Sequence, residues 1–233
     1  MDLNIFEVDC KPADLVSIGN ASVAYEKDTS PTLSELLSQY KTSKAVQTLS
    51  FRNLVSWIRV GERATHYIHP YPAKLLPQIA HFFLAAQDFF GKKLRVLDPF
   101  GGSGTVALET ILSGNEAFYS DANPLARYIA KAKTTIVDVG KLRDELVHIE
   151  KRYKKSRASK KPDVVNIEKW FSPETIKHLA RLKSSIDSCS CKDIKNFYLV
   201  VFSAVARKVS NADPRLSVPV IRKNLEAERP IDV

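Results

Sequence analysis

The sequence predicts an α/β fold built on a parallel strand–helix–strand unit, with helical segments on either side. Two observations carry this. The apolar segment Leu94-Arg95-Val96-Leu97 ends in Asp98 and enters the glycine-rich turn Pro99-Phe100-Gly101-Gly102-Ser103-Gly104-Thr105; Val106-Ala107-Leu108-Glu109-Thr110-Ile111-Leu112 then follows with helical spacing. A second short strand, Glu116-Ala117-Phe118-Tyr119-Ser120, comes after the helix stop Ser113-Gly114 and ends in Asp121-Ala122-Asn123-Pro124. Strand, turn, helix and strand in that order make one βαβ unit.

The remaining elements follow along the chain. Residues 1–30 are polar and irregular, and Pro31-Thr32-Leu33-Ser34-Glu35-Leu36-Leu37 begins a short helix with suitable capping residues. Residues 45–60, with Trp57, read as a second helix of an N-terminal cap. His69-Pro70-Tyr71-Pro72 is not mid-helix, because each proline holds the residue before it extended. The spacing then predicts a helix from Ala73-Lys74 through Leu75, Leu76, Ile79, Ala80, Phe82, Phe83 and Leu84. Beyond the βαβ unit come a helix over residues 125–133, a weaker strand at Thr135-Ile136-Val137 and a charged amphipathic helix over 141–153. Ser172-Pro173-Glu174 starts a further helix, since serine caps and proline fits the first turn. That helix runs to 187, and another over 193–209 is apolar at Phe197, Val200, Val201, Ala204 and Val205. Trp170 and Phe171 read as core anchors in preference to base-stacking rings. No internal repeat is visible.

Composition bounds the class. With 233 residues and 44% hydrophobic content, the chain is long enough for one sizeable α/β domain plus an appendage. No apolar run of about 18 residues exists, which excludes a helical membrane span. The start Met1-Asp2-Leu3-Asn4-Ile5-Phe6-Glu7 lacks a signal peptide's basic region and apolar core. Free thiols at Cys10, Cys189 and Cys191 and a cytoplasmic location are therefore expected. The net charge of +9 points to a polyanion. Its most basic stretch, residues 151–161, is either a solvated linker or a phosphate-attracting segment.

The turn is not a P-loop, because no Gly-Lys-Ser/Thr follows at the required spacing. Asp98 at the strand tip argues against a phosphate and for a ligand with positive charge. Asp121 falls where ribose hydroxyls are bound in doubly wound nucleotide sites. Each block has a purely structural alternative, a glycine turn needed for geometry and an Asx/Pro helix start. Together, two carboxylates on adjacent strand tips suit a cationic nucleoside. Lys74 either meets a ligand carboxylate or is a solvated first-turn lysine. His69 has no second His or Cys at metal-ligand spacing, so no metal is expected.

Asp-Pro-Phe-Gly-Gly-Ser-Gly-Thr at 98–105, Asp-Ala-Asn-Pro-Leu-Ala at 121–126, Lys-Ala-Lys-Thr at 131–134 and the upstream Tyr67-Ile68-His69-Pro70-Tyr71-Pro72-Ala73-Lys74 resemble the S-adenosylmethionine-binding half of DNA amino-methyltransferases. That family methylates the exocyclic amino group of adenine or cytosine. The resemblance implies a Rossmann-like class I methyltransferase fold, incomplete in this chain, with an N-terminal helical cap and a C-terminal helical insertion. It implies a polar and helical cap over 1–60, a cofactor-binding half-domain over 61–140, and a basic linker and helical region over 141–233 that contacts a partner or DNA. S-adenosylmethionine is the implied cofactor. Its binding residues by resemblance are Tyr67, His69, Pro70, Ala73 and Lys74 in a lid over the methionine end, then Asp98, Pro99, Phe100, Gly101, Gly102, Ser103, Gly104 and Thr105, and finally Asp121, Ala122 and Asn123. Residues 208–215 resemble the segment preceding the family's catalytic strand, with Arg207, Lys208 and Arg215 as contacts to DNA phosphates or to a partner surface.

The family's catalytic motif, a polar residue followed by Pro-Pro-Tyr/Phe, holds the target amino group and stacks on the flipped base. No Pro-Pro dipeptide occurs in the 233 residues, so no catalytic residue is assigned. The expectation is the cofactor-binding subunit of a two-chain DNA amino-methyltransferase. A second subunit carries the catalytic motif, double-stranded DNA is the substrate, and no membrane is involved. Two other classes stay open: a non-catalytic cofactor-binding regulatory subunit, and a methyltransferase for RNA or a small molecule.

Overall fold

The computed structural model describes residues 6–7, 28–59, 64–72, 74–91, 93–157, 162–213, 215–216 and 219–222. They group into two packed units, one drawn from residues 1–67 and 73–136, the other from residues 68–72 and 137–233. The predicted site residue Ala73, together with Cys10, Pro214 and residues 158–161 of the basic stretch, lies outside the described residues.

In the first unit β1 (Phe6–Glu7) is followed by four helices: α1 (Ser30–Ser43), α2 (Phe51–Leu54), α3 (Pro77–Leu84) and α4 (Gln87–Phe90). Pro31 stands in the first turn of α1, where its missing N–H is no loss. Leu33, Val55, Ile58, Phe82 and Ala86 form one apolar core, with Phe51 meeting Phe82 edge-on at 5.5 Å. The helix expected from Ala73-Lys74 begins instead at Pro77, with Leu76 extended as its N-cap. Pro77 disfavours helical geometry at Leu76 and is itself preorganised for the first turn, so it overrides the apolar spacing that ran through Leu75 and Leu76. The helix expected over 45–60 shrinks to the single turn of α2.

The sheet follows. β2 (Arg95–Asp98), α5 (Thr105–Leu112), β3 (Glu116–Tyr119) and α6 (Pro124–Thr134) reproduce the predicted βαβ unit and the helix after it. β2 pairs in parallel with β3, Arg95 opposite Glu116 and Asp98 opposite Tyr119. β1 pairs antiparallel on the other side of β3, giving the order β1-β3-β2. This strand lies in a segment expected to be irregular; two residues are too short to show an alternation. The weaker strand expected at Thr135-Ile136-Val137 does not form. Val137 packs instead on the helical core of the second unit.

Ala107 and Ile111 of α5, Ala117 and Tyr119 of β3, and Ala130 of α6 form the core of the sheet's covered face. The other face shows Arg95, ion-paired with Glu116 at 2.7 Å and lying 4.8 Å over the Phe118 ring. Leu97 is 56% exposed there.

In the second unit α7 (Val139–Lys155), α8 (Ile167–Trp170), α9 (Pro173–Asp187) and α10 (Lys192–Val209) follow in order. Asp138 caps α7 by accepting from the Lys141 N–H, and Ser172 caps α9 by accepting from the Thr175 N–H. Ile149, Ile186, Cys189, Ile194 and Tyr198 form its core. Trp170 and Phe171 are half-buried. Arg152 pairs within α7 with Glu145 at 2.6 Å and reaches across to α9 by donating to the Ser185 carbonyl at 3.0 Å. Arg152 holds the Glu145 carboxyl below its ordinary range. Burial, with Glu145 adding, pushes the Cys189 thiol up to about 11, while Cys191 is exposed; both are free. No helix of the described residues is long and apolar enough to cross a membrane.

Candidate functional site

The glycine turn is assembled from both strand ends. Ser120 N–H donates to the Asp98 carbonyl and Gly101 N–H to the Ser120 carbonyl, both at 3.0 Å, so the strand pairing continues into the turn. Gly101 lies against the Tyr119 ring so closely that a Cβ there would sit 2.1 Å from it. Gly104 has φ +76° and would place a Cβ 2.7 Å from that of Ala130. Tyr119 fastens the turn from below, its hydroxyl donating to the Gly102 carbonyl at 2.7 Å. These two glycines therefore serve the packing of the turn on β3 and α6.

The two predicted acids meet at this turn. Asp121 accepts from the Gly102 N–H at 2.8 Å and from the Asn123 N–H at 2.7 Å. Asp98 accepts from the Phe100 N–H at 3.2 Å. Burial raises the Asp98 carboxyl above its ordinary range, the Phe100 N–H opposes this, and the nearby Asp121 carboxylate adds to it. Asn123 caps α6 by accepting from the Leu125 N–H at 3.0 Å, so the Asx/Pro helix start holds as well. Ala122 and Pro99 are exposed, and Phe100 projects at the turn with 90% of its surface free.

Beside the turn is a cavity of about 410 Å³, lined by Arg52, His66, Tyr67, Lys74, Leu75, Leu76, Pro77, Gln78 and Thr105. It falls in the size range of small-molecule sites. Among the described residues, two cations and the N-terminal residue of α5 line it, with no acid. Lys74 donates to the His66 carbonyl at 3.3 Å and lies 5.9 Å from the Tyr67 ring centre; burial lowers its ammonium below the ordinary lysine range. The upstream block divides between the units. Tyr67 and Lys74 belong to the first, whereas residues 68–72 belong to the second. There His69 is buried, with Nε2 3.2 Å from Ser203 Oγ, and Pro70 is exposed.

Glu109 was not singled out in the sequence, and Lys133, though part of the Lys-Ala-Lys-Thr block at 131–134, was assigned no role there. Glu109 of α5 is fully buried, with Oε1 2.7 Å from His66 Nε2 and Oε2 3.5 Å from His81 Nδ1. An acid inside the otherwise apolar Val106–Leu112 run was its signal. Lys133 of α6 is 3% exposed and donates to Ser103 Oγ at 3.3 Å. Its signal was its register, seven residues from Ala126 and three from Ala130 on the buried face of α6.

Over 157 residues, 63% of this chain, it is 34% identical to the type II methyltransferase M.MvaI of Kocuria varians and covers 35% of that protein. Over 144 residues, 58% of this chain, it is 29% identical to the type II methyltransferase M.MjaII of Methanocaldococcus jannaschii and covers 27% of it. The resemblance to DNA methyltransferases read from the motifs is thereby borne out as relatedness. The chain spans about a third of the length of these curated relatives. No protein-family model and no solved structure matches it.

Proposed function

We propose that this chain is the S-adenosylmethionine-binding part of a DNA amino-methyltransferase, and that the Pro-Pro-aromatic catalytic motif resides on a second subunit. The observation that carries this is the polarity of the site: two strand-tip carboxylates accept from N–H groups of the glycine turn, and two cations line the cavity that Thr105 at the turn's end also lines. S-adenosylmethionine has the matching asymmetry, with a sulfonium, an ammonium and ribose hydroxyls to be met by acids, and a carboxylate to be met by cations. When bound, it would supply the methyl group for direct displacement. Asp98, Asp121 and residues 99–105 would hold its nucleoside side, and Tyr67 with Lys74 its methionine end. His69, Pro70 and Ala73 stay with the lid by resemblance.

A Rossmann-like sheet completed from outside the described elements fits the same reading. Among the described residues β2 bonds to one neighbour only, and Leu97 and Phe100 are exposed on it and on the turn that follows. An exposed apolar strand edge is a pairing surface.

Calorimetric titration of the 233-residue chain with S-adenosylmethionine tests the first half: saturable binding is expected, and its loss in Asp121→Ala. Methylation of double-stranded DNA tests the second half. Activity is expected only after addition of a polypeptide bearing the Pro-Pro-aromatic motif. Turnover by the chain alone would overturn the two-subunit reading, and absence of binding would overturn the cofactor reading.

A further inference from the structure

Lys133 presents an electrostatic problem that the fold alone does not resolve. The residue is only 3% exposed, and the described contact of its ammonium is the neutral hydroxyl of Ser103. No described carboxylate pairs with it. An ammonium has three donors, so two remain for another acceptor. A buried cation without a counter-charge is costly, and such groups are retained mainly where something charged will meet them.

The surroundings indicate what that is. Lys133 reaches Ser103, two residues before Thr105, which lines the cationic cavity. Lys74, also lining it, is close enough for the two ammonium groups to repel. Burial first, and Lys74 second, lower Lys133 to about 7. Of the neighbouring elements, α5 contributes Glu109, already engaged by His66 and near His81, and α6 itself carries Arg127 and Lys131. Lys133 thus holds a buried ammonium for which an anion is the natural partner.

We propose that Lys133, together with Lys74, receives the carboxylate of the ligand's amino-acid portion, so that Lys133 is a binding residue and not only a prop for the glycine turn. This rests on the reading of the site as one for S-adenosylmethionine. Bound carboxylate stabilises the charged ammonium, so ligand binding near pH 8 is accompanied by proton uptake at Lys133.

The test compares S-adenosylhomocysteine with its decarboxylated analogue, titrated by calorimetry into the full chain and into Lys133→Met and Lys133→Gln. The wild type is expected to prefer the carboxylated ligand, and both variants to lose about tenfold or more of that preference, as expected for a lost charge-assisted hydrogen bond. Repeating the wild-type titration in buffers of different ionisation enthalpy should show proton uptake that vanishes in the variants. Failure of either ligand to bind the wild type would overturn the cofactor reading itself. Binding with an unchanged preference in the variants, or with equal losses for both ligands, would overturn the role of Lys133 and leave the cofactor reading standing. Proton uptake that persists unchanged in both variants would overturn that role too.

Discussion

Gly101 and Gly104 show how much of the turn is dictated by close packing. A methyl at Gly101 meets the Tyr119 ring at 2.1 Å, and one at Gly104 meets Ala130 while φ is +76°. Gly101→Ala and Gly104→Ala should each cost about 1–3 kcal/mol in urea unfolding; unchanged midpoints would refute this packing. Lys133 gives a second test at this scale. Its ammonium falls from the ordinary 10.5 to about 7 in the folded chain, so the unfolded chain binds more protons between those values. Stability from this group therefore rises with pH across the window from 7 to 10.5, and its cost is fully present below 7. Lys133→Met should exceed wild type in unfolding free energy by a few kcal/mol below pH 7 and converge toward it near pH 10. A pH-independent difference between the two would contradict the assignment.

Among the elements, β2 stands apart. One side of it bonds to β3 and its Val96 and Asp98 side chains are half-buried, but Leu97 is 56% exposed and the adjoining Phe100 is 90% exposed. Exposed side chains contribute little to the stability of the chain that carries them, within about 0.5 kcal/mol. The double variant Leu97→Ser, Phe100→Ser should accordingly melt like wild type. If β2 is completed by a catalytic subunit, the same variant should lose association with that subunit by about tenfold or more, read by surface plasmon resonance. Equal association would place the missing strands elsewhere. Element boundaries were legible wherever a capping residue announced them, as at Asn123, Asp138 and Ser172. They were illegible where two signals conflicted, as between the apolar spacing from Leu75 and the proline at Pro77.

Over the whole molecule the charge excess is uneven. Lys151, Lys155 and Arg157 are exposed at the end of α7 and just beyond it, while Lys154 pairs with Glu150 at 2.6 Å. If this end meets DNA, replacing Lys151, Lys155 and Arg157 with alanine should flatten the logarithmic salt dependence of non-specific DNA binding, by about 0.9 for each phosphate no longer neutralised. An unchanged slope, measured by fluorescence anisotropy, would make the stretch a solvated linker. Arg215, also considered for DNA, is held by Asp213 at 2.6 Å, and Arg207 donates to the Leu216 carbonyl at 3.0 Å, so each has an intramolecular role in the second unit.

The βαβ unit, the glycine turn, the two acids at the strand tips and the likeness to type II methyltransferases were legible in the residues alone. All of these are local patterns, set by side-chain period, turn geometry and residues a few positions apart. Only the tertiary structure decided that Tyr119 and Asp121 fasten the turn, that Glu109 is clasped by His66, and that Lys133 lies buried beside Ser103. Those pairings join residues 17 to 43 positions apart. Whether a charged side chain meets solvent, a counter-charge or a ligand depends on what the fold brings across that separation, and on how much water it removes.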